Sequence, residues 1–392
     1  MRDSSFDLPW PGAGDKFLLR PGMAFLNHGS FGACPEPVFS VYQAWQRELE
    51  AQPVEFLGRR LNDLLAEARA KLGAFIGADA SNLVFITNAT HGVNIVARSL
   101  ELRPGDEVLA TDHEYGACDR IWRFLCARGG AHYVRMPIPL PLLGDEEMLE
   151  ALWSGVTEHT KVIFLSHITS PTALIFPVAQ ICKRAREEGI LTVIDGAHAP
   201  GQIDLSLEEL GADFYTGNCH KWLCAPKSAG FLYAAPEQQP ILQPLVVSWG
   251  WESETPGPSR FIDHFSWVGT ADPAAYLSVS AAIDFQREHN WPAVRQACHR
   301  LAAWARGRTQ DDGLLAIAGL PPIAPEEHFA QMFSIELAPG SIDRLGTRLW
   351  DDYSVEVPLV RWNNREFVRV SIQAYNSSQD VERLGEALRA LL

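Results

Sequence analysis

The chain alternates between short, wholly apolar runs and longer stretches in which apolar residues recur at helical spacing. From about residue 80, NLVFIT precedes GVNIVARSL, EVLAT precedes CDRIWRFLCA, KVIFLSH precedes PVAQICKRAREEG, and the runs ILTVID, DFYTG and SAGFLYA follow. This alternation predicts buried strands separated by amphipathic helices, and hence a mostly parallel α/β sheet covered on both faces. Ligands of such sheets bind at the carboxyl ends of the strands.

The segments on either side of this region have other patterns. The N-terminal residues are rich in Pro and Gly and predict an extended arm, and helical apolar stripes follow at 36–50 and 59–76. Towards the C-terminus, helical stretches alternate with FSIEL, VEVPLVRW and FVRVSI, which is typical of a smaller α+β domain with antiparallel strands. We predict three parts: an arm (1–35), a large domain (36–272), and a small domain (273–392) to which the arm contributes.

Composition narrows the range of partners. The 392 residues carry a formal charge of −15, which disfavours binding to nucleic acid or to an anionic membrane. The seven cysteines are scattered without a CxxC pair, as in a reduced protein that has neither a disulfide framework nor a zinc site. No apolar run could span a bilayer and no signal peptide is evident, so we expect a soluble, cytoplasmic protein.

A candidate anion site lies in FITNATHGVNIVA, which predicts a strand, a polar turn and a helix. The first amides of that helix, at Ala89, Thr90 and His91, together with the Thr90 hydroxyl, could bind a phosphate. The alternative is ordinary capping of the helix by Asn88 or Thr90. The glycine pair Gly12 and Gly14 follows no predicted strand, so we exclude a dinucleotide fingerprint there.

The most informative residues are Asp195 in TVIDGAH and Lys221 in TGNCHKW, each of which follows an apolar run. A lysine can form an imine with an aldehyde, and a carboxylate can keep a pyridine nitrogen protonated. Pyridoxal phosphate (PLP) requires both from a protein. His198 lies near enough in sequence to Asp195 to reach the same ring. Taken singly, Asp195 could be a turn or helix cap and Lys221 a surface lysine.

The order of the motifs resembles the class V aminotransferase family of fold-type I PLP enzymes. The resemblance rests on TNAT, DHEYGA, LSHITSP, VIDGAH, GNCHKW, WVGTADP and VRVSIQAYN, and spans roughly residues 25–385. Within that family, LNHGSFGACP and the stretch from SWGW to FSWVGTADPAAYLSVSAAIDF look most like the subgroup of isopenicillin N epimerase and its relatives. The resemblance implies a large PLP-binding domain, a smaller C-terminal domain, and a small amino-acid-type substrate.

It also implies roles for individual residues. Lys221 would bind the cofactor covalently and move a proton, and Asp195 would pair with the ring nitrogen. Arg369 would bind the substrate carboxylate through a two-pronged contact, and Thr270 would reach the cofactor phosphate of a partner subunit in a homodimer. The other implied contacts are His198 and His167 at the phenolic oxygen, Tyr115 against the ring, Thr90, His220 and Asn218 at the phosphate, and Asn27 and His28 at the substrate entrance.

Several chemistries are disfavoured. The segment VPLVRWNNREFVRVS lacks the nucleophilic cysteine that a related desulfurase would need. In HGSFG a histidine occupies the first glycine position of a GxSxG serine-hydrolase motif. The histidines near the strand ends (His113, His167, His198, His220, His264) lack metal-ligand spacing, so we expect no metal.

The sequence leaves the reaction open. Epimerisation at Cα is the preferred interpretation, and it needs a second acid or base opposite Lys221, for which Tyr115 and His28 are the candidates. A β-lyase acting on a cysteine conjugate or sulfoxide, or an aminotransferase, is the alternative. A protein that binds PLP without turnover is disfavoured by the combination of Lys221, Asp195 and Arg369.

Overall fold

The apolar runs of the sequence form strands in a computed structural model of the protein, which describes residues 10, 12–307 and 314–392. Residues 1–9 and 11 of the predicted arm lie outside the described part. The strands are β1 (Ala24–Phe25), β2 (Leu83–Ile86), β3 (Glu107–Thr111), β4 (His132–Met136), β5 (Thr160–Ser166), β6 (Leu191–Gly196), β7 (Phe214–Asn218), β8 (Gly230–Ala234), β9 (Met332–Leu337), β10 (Val355–Glu356), β11 (Leu359–Trp362) and β12 (Arg365–Ser371).

The amphipathic stretches form helices around these strands. The helices are α1 (His28–Phe31), α2 (Glu36–Ala51), α3 (Pro53–Glu55), α4 (Leu61–Ile76), α5 (Ala89–Ser99), α6 (Gly116–Gly129), α7 (Asp145–Trp153), α8 (Val178–Glu187), α9 (Leu207–Leu210), α10 (Arg260–Ser266), α11 (Ala274–Leu277), α12 (Val279–Glu288), α13 (Trp291–Arg306), α14 (Leu314–Ala318), α15 (Ser341–Leu345), α16 (Arg348–Asp351) and α17 (Ser378–Leu391). Within the described residues, no helix is long and apolar enough to cross a membrane.

The central sheet has seven strands in the order β2-β8-β7-β6-β5-β3-β4. Strands β4, β3, β5, β6 and β7 pair in parallel, whereas β8 is antiparallel to both of its neighbours. The predicted, mostly parallel α/β sheet is therefore confirmed. Because β8 alone runs in the opposite direction, the carboxyl ends of the other six strands meet at one edge.

The helix α5 lies unusually close to this sheet. A Cβ on Gly92 would lie 2.2 Å from the Thr216 hydroxyl on β7, so only glycine allows the approach. The contact places the start of α5 beside the end of β7, where the polar residues of the two elements meet.

A second sheet, in the order β11-β12-β9, is antiparallel throughout, as the sequence predicts. The arm contributes β1, which pairs in parallel with β10. The helices α2 and α4 contact α11 and α12. The division into domains stays a prediction.

The elements that were not predicted include one strand of the central sheet and one longer helix. Strand β4 has the residues HYVRM and lies at the edge of the sheet, where its residues are exposed or half-buried. Helix α7 begins at Asp145 with three acidic residues in its first turn, which favours a helix start by the dipole effect. The sequence analysis did not use that signal.

Candidate active site

The carboxyl ends of the parallel strands open into a cavity of about 370 Å³. Most of the residues predicted for the site line it: Ala89, Thr90, Tyr115, Asp195, His198, Asn218, His220 and Lys221. These residues follow β2, β3, β6 and β7, strands that are distant in sequence but end at the same edge of the sheet. The cavity is therefore a direct product of the strand order.

The Lys221 amine lies 3.1 Å from His198 Nε2. Since the Trp222 indole donates to His198 Nδ1 at 3.3 Å, the neutral ring carries its proton on Nε2 and donates it to a neutral lysine. Burial, with the nearby positive charge of Arg369, lowers the pKa of Lys221 from 10.5 to about 7. Burial and the charge of Lys221 also hold the pKa of His198 well below its usual value. Lys221 is thus prepared as a nucleophile near neutral pH.

The Asp195 carboxylate is buried, and the partners that hold it among the described residues are neutral donors. Its Oδ1 accepts from the Ala197 amide at 2.9 Å, and its Oδ2 accepts from the Cys118 thiol at 3.4 Å. Burial raises the pKa of Asp195, while the Ala197 hydrogen bond and the charge of Lys221 oppose that shift. A buried carboxylate without a paired cation is suited to a ligand that brings a positive charge.

Some polar groups of the turn before α5 are hydrogen-bonded to neighbouring side chains. The Asn88 side chain accepts from the His91 amide at 2.9 Å, and Asn218 Oδ1 accepts from the Ala89 amide at 2.8 Å. The capping alternative thus holds for Asn88, and Asn218 supports the turn from β7. Thr90 lines the cavity, and no described hydrogen bond engages its amide or hydroxyl.

His220 completes this end of the cavity. Its Nδ1 donates to the Ala229 carbonyl at 3.0 Å, which leaves Nε2 as the nitrogen available to a ligand. Burial lowers the pKa of His220 to about 4. Of the residues predicted to hold the phosphate, Thr90 and His220 therefore remain able to bind it.

Arg369 on β12 approaches the cavity from the other sheet. Its Nη1 donates to the Ser170 carbonyl at 2.7 Å and to the Ser170 hydroxyl at 3.0 Å, and its Nη2 donates to the Ser30 hydroxyl at 3.0 Å. The buried Nε has no hydrogen-bond partner, and no described carboxylate pairs with the guanidinium. Burial lowers the pKa of Arg369 to about 10, and Tyr115 opposes that shift. A buried cation held by neutral hydroxyls is suited to an incoming carboxylate.

The comparisons with known proteins agree with this geometry. Residues 32–384 match the family model of class-V aminotransferases. The chain is 37% identical to an isopenicillin N epimerase of Amycolatopsis lactamdurans over 97% of its length and 98% of the relative's. It is 35% identical to the same enzyme of Streptomyces clavuligerus, again over 97% and 98%. The chain belongs to the class-V aminotransferase family.

Other relatives of this chain carry other names. It is 30% identical to a putative L-cysteine desulfhydrase of Oryza sativa, over 95% of this chain and 83% of that one. Among solved structures, the cystine C–S lyase C-DES in complex with cysteine persulfide matches with a TM-score of 0.80 at 21% identity, over 95% of this chain and 98% of that one. A cysteine desulfurase of Thermococcus onnurineus matches equally well, at 21% identity over 98% of both chains. These two structural likenesses show the fold.

The comparisons confirm the prediction that this is a PLP-dependent enzyme of this family and fold type. The described residues also fit the cofactor. Lys221 can take its aldehyde, the unpaired carboxylate of Asp195 can take its pyridinium, and Thr90 and His220 can take its phosphate. The orphaned Nε of Arg369 leaves a donor for a substrate carboxylate. Within the described part of the chain, no three His, Cys, Asp or Glu side chains gather as metal ligands.

The structure does not bring every predicted residue of the class-V site into the cavity. His28, expected at the substrate entrance and as a possible acid or base, is fully buried, and its two nitrogens bind the Tyr375 hydroxyl at 2.9 Å and the Lys221 carbonyl at 3.0 Å. Both nitrogens of His28 are thus engaged away from the cavity, and the structure does not place this residue where it was expected. Asn27 likewise donates to Glu356 at 2.9 Å and does not line the cavity.

Arg369 contacts the lining residues Ser30 and Ser170 but is not itself a lining residue, and three further residues lie apart from the lining. His167 binds the Tyr215 hydroxyl at 2.9 Å rather than facing the ring site, and the His91 ring binds the Thr87 hydroxyl at 3.1 Å. Thr270 is exposed and contributes nothing to the cavity of its own chain. The role of Thr270 in a partner's site stays a prediction.

The sequence analysis missed other polar residues of the lining, namely Ser30, Ser166, Ser170, Lys227 and Ser228. It also missed Glu114, a buried carboxyl that accepts from the Thr111 hydroxyl at 2.6 Å and from the Ser166 hydroxyl at 2.7 Å. Burial raises the pKa of Glu114 to about 8. The strand-end rule that selected Asp195 applies equally to Ser166, the last residue of β5, and could have found it.

Proposed function

We propose that this protein inverts the configuration at Cα of an amino-acid substrate, in the manner that the name isopenicillin N epimerase implies for its relatives. The observation that carries the proposal is the full-length identity of 37% and 35% to two such epimerases. The cavity supports it, because it holds a primary amine and a phenol, two groups able to exchange protons. Arg369 lies next to the lining, where its guanidinium donates to Ser30 and Ser170.

Each of these residues has a distinct task. When bound, PLP would withdraw electrons from Cα and acidify its proton. Asp195 would keep the ring nitrogen protonated, and Arg369 would bind the α-carboxylate through charge-assisted hydrogen bonds. Lys221, whose pKa of about 7 suits proton exchange near neutrality, would remove or return the Cα proton.

Tyr115 is the candidate for the second proton carrier. It occupies the N-cap position of α6, lines the cavity and raises the pKa of Arg369. Lys221, in contrast, follows β7. The two groups therefore reach the cavity from different elements. Inversion needs proton delivery from the face opposite the one that loses the proton, and Tyr115 can supply it if it lies opposite Lys221.

The test is proton NMR in D₂O with the PLP-loaded protein and isopenicillin N, L-amino acids or L-cysteine. Loss of the Hα signal with a product of inverted configuration at that carbon and an intact carbon skeleton supports epimerisation. Pyruvate with ammonia and sulfide from L-cysteine, and no inverted product from any substrate, would overturn it.

Variants locate the two proton carriers. We expect Tyr115→Phe to exchange Hα for deuterium with retained configuration, because only the Lys221 face remains active. Lys221→Ala should lose both exchange and inversion, while Tyr42→Phe, on α2 outside the cavity lining, should behave as wild type. Inversion by Tyr115→Phe at the wild-type rate would exclude Tyr115 as the second carrier.

The second candidate function is β-elimination from cysteine or a cysteine conjugate. The relative named putative L-cysteine desulfhydrase favours it, and no cysteine is among the described residues of the cavity lining, which suits elimination without a catalytic thiol. The same NMR experiment separates the two functions, since elimination destroys the carbon skeleton.

We further propose a homodimer in which Thr270 reaches the cofactor phosphate of the partner. Thr270 is exposed, and so is Val268 two residues before it. A nearby part of the sequence adds two exposed apolar side chains, Trp249 (83% exposed) and Val247 (64% exposed). A second copy would remove this surface from water. Light scattering should give twice the monomer mass, and Thr270→Ala should weaken PLP binding; a monomer with full PLP affinity would refute it.

A further inference from the structure

The segment HGSFG contributes Ser30 to the cavity lining and to the contacts of Arg369. It forms α1 and the following Gly32, residues that we call the 28–32 turn. Both polar side chains of this turn bind residues of the candidate machinery. The turn therefore joins two parts of the site that come from different sheets.

The first contact is with the main chain of Lys221. His28 Nε2 donates to the Lys221 carbonyl at 3.0 Å, and the Tyr375 hydroxyl, 2.9 Å from Nδ1, fixes that orientation of the ring. Gly32 has a φ of +71°, and a Cβ there would lie 2.0 Å from the His220 carbonyl. The turn is thus packed directly on the backbone that carries Lys221.

The second contact is with Arg369. The Ser30 hydroxyl accepts from Arg369 Nη2 at 3.0 Å, and the Gly29 amide donates to the Ser371 hydroxyl, two residues further along, at 3.2 Å. A hydroxyl occupies an N–H group of the guanidinium without neutralising its charge. Ser30 therefore orients Arg369 and leaves its positive charge for a ligand.

We propose that the 28–32 turn is a positioning element that holds the Lys221 amine and the Arg369 guanidinium at a set separation, with Ser30 as a residue that determines specificity for a carboxylate. The turn selects ligands that carry an amine and a carboxylate on the same carbon. The inference rests on the proposed function, because it assumes that Lys221 holds PLP and that Arg369 meets the substrate.

The test compares two ligands that differ only in the carboxylate, L-alanine and ethylamine, by the change each causes in the absorbance of the PLP-loaded protein. In Ser30→Ala we expect the dissociation constant of L-alanine to rise about tenfold, the equivalent of one charge-assisted hydrogen bond, and that of ethylamine to stay unchanged. Ser30→Thr keeps the hydroxyl and should bind both ligands as wild type does.

A matched control is Ser278→Ala, which removes a buried hydroxyl that donates to the Ala274 carbonyl at 2.7 Å away from the cavity. This variant should change the dissociation constant of neither ligand. Equal weakening of both ligands by Ser30→Ala, or no weakening of either, would overturn the role of Ser30.

The contact between His28 and Lys221 predicts a different pattern of ligand binding. His28→Ala should weaken both ligands alike and lower the fraction of PLP that borohydride fixes on Lys221. If that variant does not fold, Tyr375→Phe loosens the same ring and is scored in the same way; full fixation in a folded variant counts against the proposal. If the wild-type protein fixes no PLP, the proposed function fails instead.

Discussion

Two arginines of β12 differ in what holds them. Arg365 is paired with Glu336: its Nε donates to Oε1 at 2.6 Å, and Nη2 contacts Oε2. These bonds raise the pKa of Arg365. Arg369, four residues along the same strand, is buried and held by two serines, and its pKa is lowered to about 10.

The difference separates charges that serve the fold from charges left for a ligand. In a bidentate arginine–carboxylate pair, each group neutralises the charge of the other. A buried ion held by neutral groups keeps its charge, which a ligand of opposite charge can neutralise. Asp195 and Asp213 differ in position rather than in pairing, since both accept from neutral donors. Asp195 faces the cavity, while Asp213 accepts from the Thr192 amide and hydroxyl and from Gln238.

The largest effect should come from Asp195→Asn. The amide cannot hold a ring nitrogen protonated, so we expect kcat to fall on the order of a thousandfold with the fold intact. Asp213→Asn should leave kcat within a few-fold and lower the free energy of unfolding by about 1–2 kcal/mol. Steady-state kinetics and urea unfolding of both variants measure these two quantities. Equal losses of kcat would contradict the distinction between a ligand-binding Asp195 and a structural Asp213.

The next effect concerns the two arginines. Arg369→Gln should raise the KM for a substrate with a free α-carboxylate about a hundredfold, because it removes charge-assisted hydrogen bonds to that group. Arg365→Gln should leave KM unchanged and cost about 1 kcal/mol of stability, since its ion pair is partly exposed. An unchanged KM in Arg369→Gln would contradict the assignment of its charge to the ligand.

A smaller effect is expected on the titration of Lys221. In the PLP-free protein, limiting acetylation followed by peptide mass spectrometry should label Lys221 with a midpoint near pH 7 rather than near its ordinary pKa of 10.5. Because Arg369 lowers this pKa by like-charge repulsion, Arg369→Gln should move the midpoint upward and Arg365→Gln should not. A midpoint near 10 in the wild type would show that Lys221 is not prepared as a neutral amine.

The last effect is on the pH dependence of stability between about pH 4.5 and pH 8. The folded-state pKa of Glu114, about 8, lies above its ordinary 4.5, so its contribution to stability is full below the ordinary value and is lost as pH rises through about 8. Between those values, Glu114→Gln should gain roughly 1.4 kcal/mol per pH unit relative to wild type. Urea unfolding at pH 5, 6.5 and 8 measures the slope; parallel profiles would show that Glu114 is ionised when folded.

The sequence predicted the parts of the site that depend on strand ends. Asp195 and Lys221 follow apolar runs that form β6 and β7, and the parallel order of those strands brings the residues together. Strand β4 was missed because an exposed edge strand lacks the apolar run of a buried one. Arg369 was identified only from the family resemblance, because its approach depends on packing between two sheets.

Tertiary packing also explains the residues that were misplaced. The family resemblance implied that Asn27 and His28 line the substrate entrance. Instead, β1 pairs with β10 and the Tyr375 and Lys221 contacts bury His28. Ser30 could not be identified from sequence, because its role appears only when Arg369 lies beside it.

The most direct test of the central claim exploits the two lysines that line the cavity, Lys221 and Lys227. The protein is loaded with PLP, reduced with borohydride, digested, and the modified lysine is located by mass spectrometry. The account predicts the added cofactor mass on Lys221 alone, and none in Lys221→Ala. Modification of Lys227, or an absence of fixed cofactor in the wild type, would contradict it.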